Sequence, residues 1–116
     1  MARRYVPNRG DVAWISFTPQ VGHEQAGRRP ALVISPAGYN RKVGLGIFCP
    51  ISRQVKGYPF EVSIPSGLEV SGVVLSDQVK SLDWRARKAE FICKFPHSGT
   101  LEVLDKLGTL LSPGEA

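Results

Sequence analysis

Short apolar runs separated by turn-forming residues are the main pattern of the chain. We predict six or seven strands from it, because such runs at close spacing are typical of a small antiparallel sheet or barrel. The predicted strands are DVAWISF (11–17), ALVIS (31–35), GLGIFCPI (44–51), FEVSI (60–64), GVVLS (72–76), QVKSLDW (78–84) and AEFICKF (89–95). The unbroken apolarity of ALVIS indicates burial on both faces. Alternation in the last strand predicts that Phe91, Cys93 and Phe95 share one face.

Two segments have helical patterns. The longer one begins at Ser98, a candidate N-cap, and its leucines recur at steps of three or four, which is the spacing of one apolar stripe. These leucines are Leu101, Leu104, Leu107 and Leu111. A shorter helix is predicted over 36–42, because Pro36 suits a first helical position and Gly44 suits a stop. The whole pattern predicts a mainly β fold with a C-terminal helix, in a single domain over 1–116.

A polar segment, GHEQAGRRP at 22–30, separates the first two predicted strands. A tight hairpin needs only a two-residue turn, so nine polar residues here indicate a site rather than a simple connection. Glu24 could take a proton from a hydroxyl, and the planar guanidinium of Arg29 fits phosphate oxygens. The alternative is structural: Glu24 and Arg29 could pair and only order the loop.

A second polar segment, SRQVKGYPF at 52–60, follows the third predicted strand. It contains the cations Arg53 and Lys56, and the rings of Tyr58 and Phe60 offer faces on which an unstacked base could lie. An ordinary hairpin loop is the alternative interpretation. Two such segments from neighbouring hairpins favour a shared binding surface.

Composition favours an acidic partner. Fifteen Lys and Arg against ten Asp and Glu give the 116-residue chain a net charge of +5, which is typical of proteins that bind polyanions, nucleic acid above all. The basic start of the chain is not followed by the apolar stretch of a signal peptide, and no run approaches the length of a membrane span. We therefore expect a cytoplasmic protein with no membrane partner.

The sequence offers no metal or cofactor motif. Cys49 and Cys93 lie in apolar runs and are expected to be free, buried and inert, while His23 and His97 stand far apart without acid or thiol partners. No phosphate-binding glycine motif and no nucleophile elbow occur. These features leave metal-free chemistry on a substrate that carries its own nucleophile, as RNA does in its 2′-hydroxyl.

Four motifs in order resemble one known family, the MazF/PemK toxins of bacterial toxin–antitoxin pairs. RYVPNRGDVAW resembles the family's opening strand, and GHEQAGRRPALVIS carries its G-x-E-Q-x-G-x-R-P signature. KGYPFEV and DQVKSLDWRAR are close to the MazF subgroup in particular. The resemblance extends over nearly the whole chain and implies a small SH3-like, CcdB-like antiparallel β-barrel.

The resemblance also implies a function. Members of this family cleave single-stranded RNA at particular sequences without a metal or other cofactor. The 2′-oxygen attacks the adjacent phosphorus, leaving a 2′,3′-cyclic phosphate and a 5′-hydroxyl. The family members act as homodimers, and a cognate MazE-like antitoxin blocks the RNA groove with an extended acidic segment.

By the same resemblance, Arg29 is the catalytic arginine and Ser52 stands where many members have a threonine that acts beside it. Glu24 matches a loop glutamate with an acid–base role in some members and an ordering role in others. Some relatives have a histidine where this chain has Arg28, a departure that makes Arg29 or solvent the expected general acid. The expected RNA-binding residues are Gln25, Arg28, Arg53, Gln54, Lys56, Tyr58, Asp77, Gln78 and Lys80.

Two other functions are compatible with such a fold. A CcdB-like toxin grips the protein gyrase and cleaves nothing, and an SH3-like module only binds. The polar residues Glu24, Arg29 and Ser52 discriminate among these functions, because a toxin that is not an enzyme has no need for them at these positions. We therefore predict an endoribonuclease, with the gyrase-binding toxin as the alternative.

Overall fold

A computed structural model describes residues 4–17 and 27–114 of the protein. They form a mainly antiparallel β fold with a C-terminal helix, which confirms the predicted fold class. The strands are β1 (Asp11–Ser16), β2 (Arg28–Val33), β3 (Gly46–Ser52), β4 (Glu61–Ser63), β5 (Val73–Leu75), β6 (Lys80–Leu82) and β7 (Glu90–Lys94). The helices are α1 (Ala37–Val43) and α2 (His97–Leu111).

Strand β3 is the centre of the sheet. The strand order is β4-β5-β3-β2-β1-β7, and β6 pairs with the first half of β3 while β5 pairs with its end. The sheet is barrel-like because six of its strands, β1 to β5 and β7, contribute side chains to one core cluster together with α2. The barrel is not closed, since no pairing joins β4 to β7 among the described residues.

Both faces of the central strands are buried, as ALVIS predicts. Leu32 points into the cluster that α2 covers, whereas its neighbours Ala31 and Val33 point into a second cluster with Trp84 on the opposite face. All three of these β2 residues are fully buried. Successive side chains of a strand point to opposite faces of the sheet. A strand that is packed on both faces therefore has a continuous run of apolar residues in its sequence.

The polar segments are shorter than predicted, because their ends belong to strands. Arg28 and Arg29 form the first two residues of β2, opposite Ser16 and Ile15 of β1, and do not lie in a loop. Ser52 is likewise the last residue of β3. Backbone pairing outweighs the polarity of these side chains at the strand ends, and it places them on a rigid scaffold.

A bulge in β7 contradicts the predicted common face of Phe91, Cys93 and Phe95. Val12 pairs with Cys93 and Ala13 pairs with Phe91, so the register shifts by one residue between them. A shift of one residue turns the side chains that follow to the other face. Cys93 and Phe95 are consequently buried, whereas Phe91 is exposed.

The N-cap of the C-terminal helix lies two residues earlier than predicted. Pro96 occupies its N-cap and Ser98 lies within the first turn. Its core-facing residues are Thr100, Val103 and Leu107. The predicted leucine stripe is therefore only partly right: Leu107 is buried and Leu104 half-buried, but Leu101 and Leu111 are exposed.

Helix α1 is confirmed, with one correction at its start. Pro36 is the N-cap, with extended backbone, rather than the first helical residue. Gly44 ends the helix in the left-handed conformation, as predicted for a glycine stop. The buried side chain of Asn40 holds the helix to the body of the protein through hydrogen bonds to Pro7 and Ser35.

Candidate functional site

The ends of β2 and β3 open a pocket of about 520 Å³, here called the arginine pocket. Its lining residues are Trp14, Arg28, Arg29, Pro30, Ile51, Ser52, Arg53, Gln54, Glu69, Val70 and Ser71. The antiparallel pairing of β2 with β3 ends at the pair Ala31 and Pro50. If this register is extended by two residues along each strand, Arg29 lies across from Ser52, and both residues line the pocket. The structure thus brings together the two predicted catalytic residues that it describes.

The arginine pocket is predominantly cationic, with Arg28, Arg29 and Arg53 against Glu69. Arg28 donates from Nη2 to Glu90 Oε1 at 2.8 Å and from Nη1 to the carbonyl oxygen of Arg87. Both partners of the Arg28–Glu90 ion pair are substantially exposed, so the pair contributes at most about 1 kcal/mol and an anionic ligand can compete for the guanidinium.

The hydroxyl of Ser52 is held in place by the turn that follows β3. Its Oγ accepts a hydrogen bond from the backbone N–H of Gln54 at 3.1 Å, and the residue is only 7% exposed. A hydroxyl that accepts one bond still has its own proton to donate. Ser52 can therefore donate into the arginine pocket.

The connection between β3 and β4 is exposed but well held. Glu61 accepts hydrogen bonds from the backbone N–H groups of Lys56 at 3.1 Å and Gly57 at 3.0 Å. The backbone of Gly57 has φ 79°, in the left-handed region that favours glycine, and turns the chain at this point. In the same connection the ammonium of Lys56 lies 5.8 Å from the ring centre of Tyr58, which is within the range of a cation–π contact.

A second pocket of about 390 Å³, here called the tyrosine pocket, adjoins the first. It is lined by Ser52, Gln54, Lys56, Tyr58, Leu75, Asp77 and Gln78, so the two pockets share Ser52 and Gln54. The side-chain oxygen of Gln78 is buried and has no hydrogen-bond partner within the described part of the chain. A buried acceptor left unpaired costs about 1 to 3 kcal/mol.

Most predicted site residues that the structure describes line one of these pockets. Lys80 does not: it lies on β6, opposite Phe48, and lines neither pocket. Glu24 and Gln25 are outside the described residues. The loop roles predicted for them remain predictions.

Several lining residues were not predicted. Trp14 is 40% exposed on β1, opposite Pro30, and presents an aromatic face to the arginine pocket. A large aromatic residue near the strand end that precedes a polar segment was the signal for it. Glu69, Val70 and Ser71 come from the β4–β5 connection, and no local pattern in the sequence places this connection beside β3.

The thiols are free and buried, as expected, and lie outside both pockets. Burial raises the pKa of the Cys49 thiol to about 12, with a further contribution from the Asp77 carboxylate, and burial also raises the pKa of Cys93. Across residues 4–17 and 27–114, no cluster of three or more His, Cys, Asp or Glu is arranged to hold a metal ion. In the same residues, no helix is both long and apolar enough to cross a membrane.

Fold and site together define a class: a small β protein whose strand ends form a cationic pocket beside an aromatic one, suited to an extended phosphate-bearing ligand. Comparison with known proteins is more specific. The sequence profile described as "PemK-like, MazF-like toxin of type II toxin-antitoxin system" matches residues 8–111. The chain belongs to this PemK/MazF toxin family.

Similar proteins support the assignment to the MazF subgroup. The endoribonuclease toxin MazF of Escherichia coli K12 is 56% identical over 89 residues, which cover 77% of this chain and 79% of the relative. The crystal structure of MazF from Deinococcus radiodurans is 56% identical and superposes with a TM-score of 0.90, covering 93% of this chain and 98% of the other. A MazE–MazF structure from the same organism is also 56% identical, with a TM-score of 0.85 and coverage of 93% and 97%.

Proposed function

We propose that this protein cleaves single-stranded RNA at particular sequences and without a metal ion. In this reaction the 2′-oxygen attacks the neighbouring phosphorus and the bond to the 5′-oxygen breaks. The products are a 2′,3′-cyclic phosphate and a 5′-hydroxyl. The observation that carries the proposal is the common pocket of Arg29 and Ser52, with Arg28 and Arg53 also in its wall.

Arg29 has the central role in the proposed chemistry. Its guanidinium would donate to the phosphate oxygens and stabilise the extra negative charge of the pentacoordinate transition state. The Ser52 hydroxyl, oriented by the Gln54 N–H, would donate to the same group. Glu24 would accept the proton of the 2′-hydroxyl, and Arg29 or solvent would protonate the leaving 5′-oxygen.

The tyrosine pocket would hold a base next to the reacting phosphate. Because the two pockets meet at Ser52 and Gln54, an RNA chain passing Ser52 would place a nucleotide on either side of it. Tyr58 offers a face for stacking, and the amide side chain of Gln78 in the pocket wall would hydrogen-bond to the edge of the base. Such contacts would give the cleavage its sequence preference.

The family supports an endoribonuclease over a gyrase-binding toxin. The E. coli relative at 56% identity is named an endoribonuclease toxin, and this chain has Glu24, Arg29 and Ser52, the polar residues that such an enzyme would use. The protein is therefore an endoribonuclease toxin. The sequence preference, the metal independence, the cyclic product and the individual residue roles are the parts that we propose.

Two protein partners are proposed in addition. An antitoxin is the first, because the similar Deinococcus radiodurans structure is a complex of MazF with MazE. Its contact segment would be acidic, to match the cations of the arginine pocket. A second copy of this chain is the other, and the exposed leucines Leu101, Leu110 and Leu111 of α2 offer apolar surface for it.

The direct test is incubation of the purified chain with a defined single-stranded RNA in excess EDTA. Cleavage at a small set of sequences is the expected result. An intact RNA, with activity restored by added Mg²⁺, would contradict metal independence. An RNA left intact with and without metal would favour the gyrase-binding toxin or a binding module.

Ser52 variants test the proposed role of the hydroxyl. Ser52→Thr should stay within about threefold of the wild-type single-turnover rate, because it keeps the hydroxyl and its branched side chain suits a strand. Ser52→Ala should lose at least about tenfold, since it removes a donor to the developing charge. Ser63→Ala, an exposed serine of β4 outside both pockets, is the matched control. A fully active Ser52→Ala would exclude this role.

Phosphate contacts should dominate RNA affinity. In an Arg29→Ala background, which should cut slowly enough for binding to be measured, log affinity should fall with log salt at a slope of about −0.7 per phosphate neutralised. Lys56→Ala should weaken binding to every RNA sequence alike and reduce the slope by roughly one unit or somewhat less. Lys42→Ala, on α1 and outside both pockets, is the control and should change neither quantity. Affinity that does not depend on salt would contradict the cationic groove.

A further inference from the structure

The backbone of Gly72 lies close against the end of β3, beside two residues that line the arginine pocket. It directly precedes β5 and has φ +106°, in the left-handed region that favours glycine. A Cβ at this position would lie 2.0 Å from the carbonyl oxygen of Ser52 and 2.9 Å from Cα of Arg53. Both contacts are with backbone atoms, so no side-chain rotation can relieve them.

Hydrogen bonding and strand pairing hold Gly72 between β4 and the end of β3. Its carbonyl oxygen accepts a hydrogen bond from the N–H of Ile64 at 3.0 Å, and the next residue, Val73, pairs with both Ser52 and Ser63. A side chain at 72 would therefore force β5 and the end of β3 apart, at the place where Ser52 and Arg53 line the arginine pocket.

We propose that Gly72 is a positioning residue for the RNA-cleaving site. Its missing side chain lets β5 approach the end of β3 closely enough to set the place of the Ser52 hydroxyl. Gly72 itself lines neither pocket and acts only through Ser52 and the turn that follows it. The inference rests on the proposed function, in which Ser52 donates to the reacting phosphate.

Gly67 provides a matched control in the same connection. It also has a left-handed backbone, at φ +96°, but a Cβ there would meet no atom within 4 Å. Gly67→Ala and Gly72→Ala therefore carry similar backbone strain. Only Gly72→Ala adds the collision with β3, so the difference between the two variants measures the effect of that contact.

Two readouts test the proposal. In single-turnover cleavage with saturating RNA, Gly72→Ala should lose about as much rate as Ser52→Ala, at least about tenfold, at nearly unchanged RNA affinity, because a displacement on the order of 1 Å is enough to remove the contribution of the hydroxyl. The second readout needs no activity: amide exchange of Gln54, whose N–H binds Ser52 Oγ, should become faster in Gly72→Ala while the amides of β1 keep their protection. Gly67→Ala should resemble the wild type in both.

The exchange readout separates this proposal from the proposed function. If the wild type cleaves no RNA, the function fails, yet faster Gln54 exchange in Gly72→Ala would still support the positioning of Ser52. If Gly72→Ala matches Gly67→Ala in cleavage and in Gln54 exchange, the proposal is overturned.

A second variant pair covers the case in which Gly72→Ala does not fold. Asparagine tolerates left-handed backbone better than alanine but keeps the Cβ, so Gly72→Asn and Gly67→Asn repeat the comparison with less strain. Thermal melts establish which variants are folded. If both Gly72 variants fail to fold while both Gly67 variants fold, Gly72 serves the fold rather than the site, and the proposal is overturned.

Discussion

Arg29→Ala is expected to cut RNA about 100- to 1000-fold more slowly than the wild type, a loss of about 2.7 to 4 kcal/mol of transition-state stabilisation. The reason is that the charge on the phosphate oxygens grows only as the 2′-oxygen attacks. Fold and RNA affinity should change little, because Arg28 and Arg53 remain in the same pocket. Single-turnover cleavage of a fluorescent RNA measures the rate, and thermal melts exclude misfolding.

Arg29→Lys distinguishes charge from geometry. An ammonium keeps the positive charge but lacks the planar two-point fork of a guanidinium, so this variant should recover only part of the lost rate. Arg41→Ala, which removes an exposed arginine of α1, is the matched control and should stay within about twofold of the wild type. A folded Arg29→Ala that retains more than about a third of the rate would reduce Arg29 to a structural role.

Asn40→Ala is expected to destabilise the fold strongly, lowering the free energy of unfolding by about 3 kcal/mol. Asn40 is fully buried, and its Nδ2 donates to the carbonyl oxygens of Pro7 at 2.7 Å and Ser35 at 3.1 Å. Its Oδ1 accepts from the Ser35 hydroxyl at 2.6 Å. Alanine would leave these buried groups without their partner, which should lower the melting temperature by roughly 10 to 15 °C.

Lys42→Ala is the control for this measurement, because it removes an exposed side chain two residues further along the same helix. Its free energy of unfolding should stay within about 0.5 kcal/mol of the wild type. Chemical denaturation of the three proteins gives the comparison. An Asn40→Ala protein as stable as Lys42→Ala would mean that the hydrogen bonds around α1 contribute nothing to the fold.

Strand positions could be predicted because period-two patterns and turn residues are local signals. The apolar residues of FEVSI and ALVIS themselves indicate burial, and both segments lie at strands in the structure. The ends of the strands were harder to predict. The polar side chains of Arg28, Arg29 and Ser52 are typical of a connection, although backbone pairing keeps these residues in strands. The exposure of Phe91 could not be predicted, because the bulge that causes it depends on the register with β1.

Some residues of the candidate site could likewise be predicted from the sequence, and others could not. Arg29 and Ser52 stand in polar segments next to predicted strands, so their sequence neighbourhood indicated a site before the structure placed them in one pocket. Gly72 and Glu69 belong to a connection between two short strands, and only the pairing of β5 with β3 brings it to the pocket. Contacts between segments distant in sequence leave no local pattern.

RNA cleavage through the substrate's own 2′-hydroxyl is the step on which the proposed function depends. Mass spectrometry of the fragments of a defined RNA, cut in excess EDTA, tests it most directly. We expect 5′ fragments that end in a 2′,3′-cyclic phosphate, lighter by one water than the linear phosphate, and 3′ fragments that begin with a 5′-hydroxyl. Fragments with a 3′-hydroxyl and a 5′-phosphate, or no fragments at all, would contradict it.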